Sequence, residues 1–186
     1  MAGFWASLFF ITAAEMGDKT QLVAMSFAAK YKPWKVIAGV FIATLVVHLL
    51  SVIIGEQTSA LLPIYYIKLI VGASFIGFGL WPLKGDKLDE ENVKPARFGP
   101  LLTVAIAFFL AELGDKTQLA TISIAAQYKS FIGVWLGSTL GMVIADGLAI
   151  VVGIVAGKRL PERVIKYASA AIFIAFGVFT LVETVV

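Results

Sequence analysis

Apolar residues along this chain gather into six long runs, at about 4–29, 35–55, 64–83, 99–126, 131–156 and 164–184. Each approaches or exceeds the roughly 20 residues that carry a helix across about 30 Å of hydrocarbon. The runs are continuously apolar and rich in Leu, Ile, Val and Ala, whereas the strands of an outer-membrane barrel alternate over about ten residues. The pattern therefore predicts an all-α polytopic membrane protein with six transmembrane helices. The one polar stretch of any length, KGDKLDEENVKPAR at residues 84–97, separates the first three runs from the last three and reads as a solvated linker over 84–98. The first run has no basic leader and no convincing cleavage site, and it carries Glu15, Asp18 and Lys19, so it reads as a helix of the mature protein rather than a signal peptide.

The two sets of three runs are copies of one another. Shifted by 97 places, residues 15–32 fall on 112–129 with 12 identities in 18, where average composition gives on the order of one. Past one extra residue near Ile132 the offset becomes 98, and it matches Gly39 with Gly137, Gly55 with Gly153, Pro63 with Pro161, Lys68 with Lys166 and Phe78-Gly79 with Phe176-Gly177. The chain divides into repeat 1 (1–83), the linker and repeat 2 (99–186). An odd number of spans per repeat makes the second enter the membrane from the opposite side, so the prediction is two inverted three-helix repeats. Lys30, Lys32, Lys35, Lys84, Lys87, Lys94, Arg97, Lys158, Arg159, Arg163 and Lys166 fall on one side, against Lys68 and Lys129 on the other. The positive-inside rule makes the first side cytoplasmic and places both termini outside, with Tyr31 and Trp34 at one interface and Tyr128 and Phe131 at the other.

Composition agrees with the pattern: 60% of the residues are hydrophobic, 15% are charged, and the mean hydropathy is +0.93. The net charge of +3 resides mostly in the short connections, where it sets topology, so no nucleic-acid partner is expected. With no cysteine and one histidine, disulfides, thiol chemistry, Fe–S clusters and thiolate zinc sites are excluded.

Against this background one octet stands out. Glu15-Met-Gly-Asp-Lys-Thr-Gln-Leu22 recurs as Glu112-Leu-Gly-Asp-Lys-Thr-Gln-Leu119, both deep within apolar runs. Ionisable groups at membrane depth persist mainly where they pair, bind an ion or relay protons. Glu15 lies about 16 Å into its helix at 1.5 Å per residue, close to the midplane, and Glu112 is similarly central. Helical spacing puts Glu15, Asp18 and Gln21 on one face, and Glu112, Asp115 and Gln118 on another. Gly17 and Gly114 allow the helix to bend or another backbone to approach. Four carboxylates with Lys19 and Lys116 carry a formal charge of −2, which a divalent cation neutralises. Oxygen donors from Glu15, Asp18, Gln21, Glu112, Asp115 and Gln118, with Thr20 and Thr117, suit the hard ions Ca2+, Mn2+ or Mg2+ without choosing among them. Once the cation leaves, burial and mutual repulsion favour protonation, so metal and protons compete for the same oxygens. The bland alternative is that Glu15–Lys19 and Glu112–Lys116 are i,i+4 ion pairs that fasten the bundle, with the aspartates paired similarly, but two additional carboxylates duplicated in register are more than such fastening needs.

His48 and Asp146 occupy matching mid-span positions in the second and fifth runs and are candidates for an accessory or proton-coupling role, Asp146 more so than His48. Lys19 and Lys116 read first as charge balance. Ser26 and Ser123 fall near the acidic face, although hydrogen bonding back to the helix explains them as well. Met16 is Leu113 in the second octet, so it reads as packing. Gly133-x3-Gly137-x3-Gly141 predicts a tight helix–helix seam, either within the chain or in a homodimer.

The two octets, six spans and charged central loop resemble the membrane family whose signature is Glu-x-Gly-Asp-(Lys/Arg)-(Thr/Ser), which includes bacterial manganese exporters and Golgi manganese/calcium–proton exchangers. Glu15, Gly17, Asp18, Lys19 and Thr20 match the first signature, and Glu112, Gly114, Asp115, Lys116 and Thr117 the second. The resemblance covers essentially the whole chain and, given its compactness, points to the bacterial members. It implies Mn2+ export from the cytosol in exchange for protons across a bacterial inner membrane, with Ca2+/H+ exchange the nearest alternative. Metal and protons would be substrates, the lipid bilayer the surroundings, and no cofactor is implied. A passive cation channel and an intramembrane metal-dependent hydrolase are rival classes. Buried lysines and a three-plus-three inversion fit alternating access better than a channel, and symmetric duplication of the reactive groups weighs against an enzyme.

Overall fold

The computed structural model describes residues 1–80, 99–156 and 162–185, which form α-helices joined by short turns. Eight helices follow in order: α1 (Ala2–Glu15), α2 (Lys19–Lys30), α3 (Pro33–Leu61), α4 (Ile64–Leu80), α5 (Pro100–Glu112), α6 (Lys116–Tyr128), α7 (Phe131–Ala156) and α8 (Glu162–Val185). The second, third, fifth and sixth apolar runs are single helices. The first and fourth are each two half-helices meeting end to end at residues 16–18 and 113–115. The expected linker over 84–98, together with Lys158 and Arg159, lies outside the described residues.

Local chemistry sets several boundaries. Pro33 and Pro100 stand in the first turns of α3 and α5, where a missing N–H removes no hydrogen bond. Pro63 forces Leu62 into extended backbone (φ −117°, ψ 139°) and ends α3. Among the described residues, two helices are long and apolar enough to cross a membrane by length and composition, Pro33–Leu61 and Phe131–Ile154, and they hold equivalent places in the two repeats.

The core is apolar, but so is much of the surface, and several hydroxyls are buried. Phe41, Val46 and Ile54 on α3 and Leu136, Ile144 and Val151 on α7 are exposed, while Ser7, Thr44, Ser51, Thr121 and Ser138 are buried. Apolar surface on this scale is a liability in water and the natural boundary in lipid. The buried hydroxyls donate to carbonyls one turn back, as Ser7 does to Gly3 at 2.7 Å, Ser51 to Val47 at 2.8 Å and Thr121 to Thr117 at 2.8 Å. Each polar group is thereby satisfied without water.

Packing is crossed between the halves: α1 lies along α7 and α5 along α3, with α3 against α7 and α4 against α8. Missing side chains make these approaches feasible. A Cβ on Gly39 would stand 2.7 Å from Val104 Cβ and 2.9 Å from the Leu101 carbonyl, whereas one on Gly137 would run into the Phe4 carbonyl and the Ser7 hydroxyl. Leu101 and Val104 are the 97-residue counterparts of Phe4 and Ser7, so one seam is built twice. A Cβ on Gly79 would meet Ala170 O and Ile174, and one on Gly177 would meet the counterparts, Gly72 O and Ile76. Phe75 and Phe173, also counterparts, stack on each other with centroids 5.3 Å apart. The stripe Gly133, Gly137, Gly141 is filled by α1 of the same chain, with Thr12 Oγ1 donating to the Gly141 carbonyl at 3.2 Å. That seam is internal.

Candidate cation site

Each octet folds into the same local device. Glu15 ends α1; Met16 is extended (φ −59°, ψ 121°), Gly17 has φ 79°, and Asp18 N–H donates back to the Glu15 carbonyl at 3.0 Å. These are the features of a type II turn, whose third residue needs a positive φ and hence glycine. In the second copy Leu113 has φ −67° and ψ 115°, Gly114 has φ 81°, and Asp115 N–H donates to Glu112 O at 3.3 Å. The bend left open by the sequence is thus a full break. It ends one half-helix on a glutamate and starts the next beside an aspartate.

The remaining octet residues brace that break. Gly17 N–H donates to Gln21 Oε1 at 2.8 Å and Gly114 N–H to Gln118 Oε1 at 2.7 Å, which satisfies a donor the interrupted helix would otherwise leave unpaired. Gln21 Nε2 reaches further, donating to the Ala145 carbonyl of α7 at 2.8 Å and approaching Met16 Sδ at 3.7 Å. The two glutamines, expected among the cation ligands, are therefore engaged in holding the turns. Thr20 Oγ1 donates to Glu15 Oε1, and Thr117 Oγ1 to Glu112 Oε2 at 2.7 Å, so each glutamate has one oxygen fixed by a hydroxyl across its break.

The other glutamate oxygens, Glu15 Oε2 and Glu112 Oε1, are buried without a hydrogen-bond partner among the described residues, and so are both oxygens of Asp146. These groups converge. Glu15 lies within electrostatic reach of Glu112, Asp18, Asp146 and Lys116, and Glu112 within reach of Asp115, Asp146 and Asp18. Lys116 Nζ pairs with Asp18 Oδ2 at 2.8 Å, joining α6 of one repeat to the start of the break's second half in the other, and the ammonium also acts on Glu15 and Asp115. The within-helix pair Glu112–Lys116 weighed from the sequence is replaced by this bond, because the break puts the two residues on different helices. The side chain of Lys19 lies outside the described residues.

Other candidates sort by position. Asp146 joins the acidic group from α7, one residue beyond the carbonyl that anchors Gln21. Its counterpart His48 on α3 is fully buried with neither ring nitrogen hydrogen-bonded among the described residues. Ser123 donates to Leu119 O at 2.9 Å, back along its own helix, and Ser26 is exposed. Among the described residues no three His, Asp or Glu side chains are already drawn together tightly enough to hold a metal ion. The cluster is instead closed by an ammonium. Sequence reasoning missed the bracing glutamines, the threonine–glutamate bonds and the crossed ion pair, although Glu-x-Gly-Asp as a turn followed by a helix start was readable from the glycine.

Comparison with known proteins identifies the family. The family described as Divalent cation/proton antiporter GDT1 matches over residues 3–90 and 100–186. A Vibrio cholerae protein named "Putative manganese exporter" is 37% identical over 172 residues, covering 91% of this chain and 86% of its own length. The GDT1-like protein 5 of Arabidopsis thaliana is 29% identical over 227 residues, covering 100% and 97%, and a GDT1-like protein of Synechocystis is 31% identical over 199 residues, covering 96% of each. No solved structure matches.

Proposed function

We propose that this chain, which belongs to the GDT1 family of divalent cation/proton antiporters, exports Mn2+ from the cytosol in exchange for protons at the site where its two breaks meet. The observation that carries the reading is the convergence of Glu15, Asp18, Glu112, Asp115 and Asp146 from both repeats, with buried glutamate and Asp146 oxygens that lack a partner among the described residues. Buried carboxylates in such number need compensating positive charge, either a metal ion or protons. Exchange follows when the same oxygens accept one or the other. Half-helix ends contribute too, since the carbonyl end of α1 or α5 favours a cation beside the glutamate that closes it. Thr20 and Thr117 orient the glutamates and Gln21 and Gln118 hold the turns, so the ligand geometry is set by the octet itself.

In this reading the eight helices make six membrane spans in two inverted repeats, with both termini outside and the chain in a bacterial inner membrane. The name of the Vibrio cholerae relative supports manganese as the cargo. The oxygen donors serve Ca2+ equally. The test is metal-driven proton movement in proteoliposomes carrying an internal pH dye, with Mn2+, Ca2+, Mg2+ and Zn2+ compared under imposed proton gradients. The expected result is proton flux driven by Mn2+. Metal flux indifferent to the proton gradient overturns exchange, and a response to Ca2+ alone overturns the choice of cargo.

A further inference from the structure

Lys116 is the one basic side chain described within the acidic cluster, and it reaches across the repeat boundary. Its ammonium lies 2.8 Å from Asp18 Oδ2, with the lysine side chain 15% and the aspartate 9% exposed. It also acts on Glu15 and Asp115. Screening is weak at such burial, so the Coulombic attraction within the pair exceeds that of an exposed one, and breaking it without another cation leaves a costly buried charge. In the same structure no three acidic groups are drawn together as a metal would draw them, among the described residues. An incoming divalent ion and the ammonium therefore want the same carboxylate.

We propose that Lys116 is a tethered cation that holds Asp18 while no metal is bound, and that metal binding proceeds by displacing it. This rests on the cation-site reading above. The step is an exchange of contacts: the Nζ···Oδ2 ion pair breaks, a metal–Oδ contact forms, and no proton leaves or joins Asp18 or Lys116; the protons exchanged for the metal belong to the other carboxylates of the site. Two consequences follow. Metal affinity is set by the difference between two attractions rather than by carboxylate charge alone. The metal-free site retains a cation that ties α6 to the opposite repeat, so it is not left as five unopposed carboxylates.

The test is binding of Mn2+ to the purified full-length protein in detergent at fixed pH and ionic strength, by calorimetry, with thermal melting as the control for folding. Removing the competitor in Lys116→Gln is expected to tighten binding at least threefold. Lys116→Arg, whose guanidinium can grip a carboxylate with two parallel hydrogen bonds, is expected to weaken it at least threefold. Opposite shifts from two substitutions at one position do not arise from a purely structural role. Should Lys116→Gln fail to fold, the Arg variant alone decides, and unchanged or tighter binding there overturns the proposal. If the wild type binds Mn2+ and Asp18→Asn abolishes binding while both Lys116 variants bind as the wild type does, the tethered cation is wrong and the site stands. If the wild type binds neither Mn2+ nor Ca2+, the functional reading fails and this proposal fails with it.

Discussion

The break at residues 16–18 and the break at 113–115 have almost the same sequence and the same backbone, yet their surroundings differ. Gly17 is partly buried and its bracing Gln21 is tied to α7 through the Ala145 carbonyl. Gly114 is exposed, Leu113 beside it is 44% exposed, and the amide oxygen of Gln118 holds only its own turn among the described residues. Local conformation is thus fixed by the octet, whereas closure is fixed by what packs on it. α7 offers the first break a carbonyl and Asp146; α3 presents His48 at the equivalent place. The turn of the first break is thus more covered than that of the second, although Glu15 and Glu112 are both fully buried.

The largest effects are expected when one copy is neutralised at a time. Glu15→Gln and Glu112→Gln are each expected to lower Mn2+-driven proton flux at least tenfold in proteoliposomes, because the site is shared. A loss confined to one of them would show that a single repeat carries the cation. Next in size come the seams: Gly137→Ala and Gly39→Ala put a methyl group where a neighbouring backbone lies, and each is expected to destabilise by about 1–3 kcal/mol, read as a lowered melting temperature. Gly147→Ala, where a Cβ meets nothing within 4 Å, is the control and should melt as the wild type does. Gln21→Leu should be more damaging than Gln118→Leu, since it loses the bond to Ala145 as well as the bond to its own turn; about 1 kcal/mol separates them at roughly 1 kcal/mol per hydrogen bond. Equal melting shifts would erase the difference in closure. Smallest is the contrast between Gly17→Ala and Gly114→Ala: both place a side chain at φ near 80°, each at about 1–2 kcal/mol, with the partly buried Gly17 the worse by some tenths.

Helical character was legible because lipid imposes one simple rule, that long apolar runs become helices with their backbone bonds satisfied internally. Pro33, Pro63 and Pro100 even mark ends. The split of the first and fourth runs was half legible: Gly17 and Gly114 announce a bend, but only the pairing of Asp18 N–H with Glu15 O shows a complete interruption. Spacing on an uninterrupted helix also set Gln21 and Gln118 beside the carboxylates as ligands, whereas in a broken one they turn back to cap the glycines. The Lys116–Asp18 bond joins residues 98 apart in the chain and depends on how the halves cross, which no periodicity encodes.

The crossed seams bear on how the molecule comes into being. α1 is synthesised ahead of its seat on α7, which follows more than 120 residues later, while α5 has its seat waiting in α3. That half-helix is therefore made before its partner exists, holding Glu15 without Glu112, Asp115 or Lys116, and completes its contacts only once α7 has followed. A chain severed between residues 80 and 99 should accordingly recover function only when both pieces are made together, each piece acting as chaperone to the other. The same dependence describes an ancestor of half this length, which could have worked only as a pair.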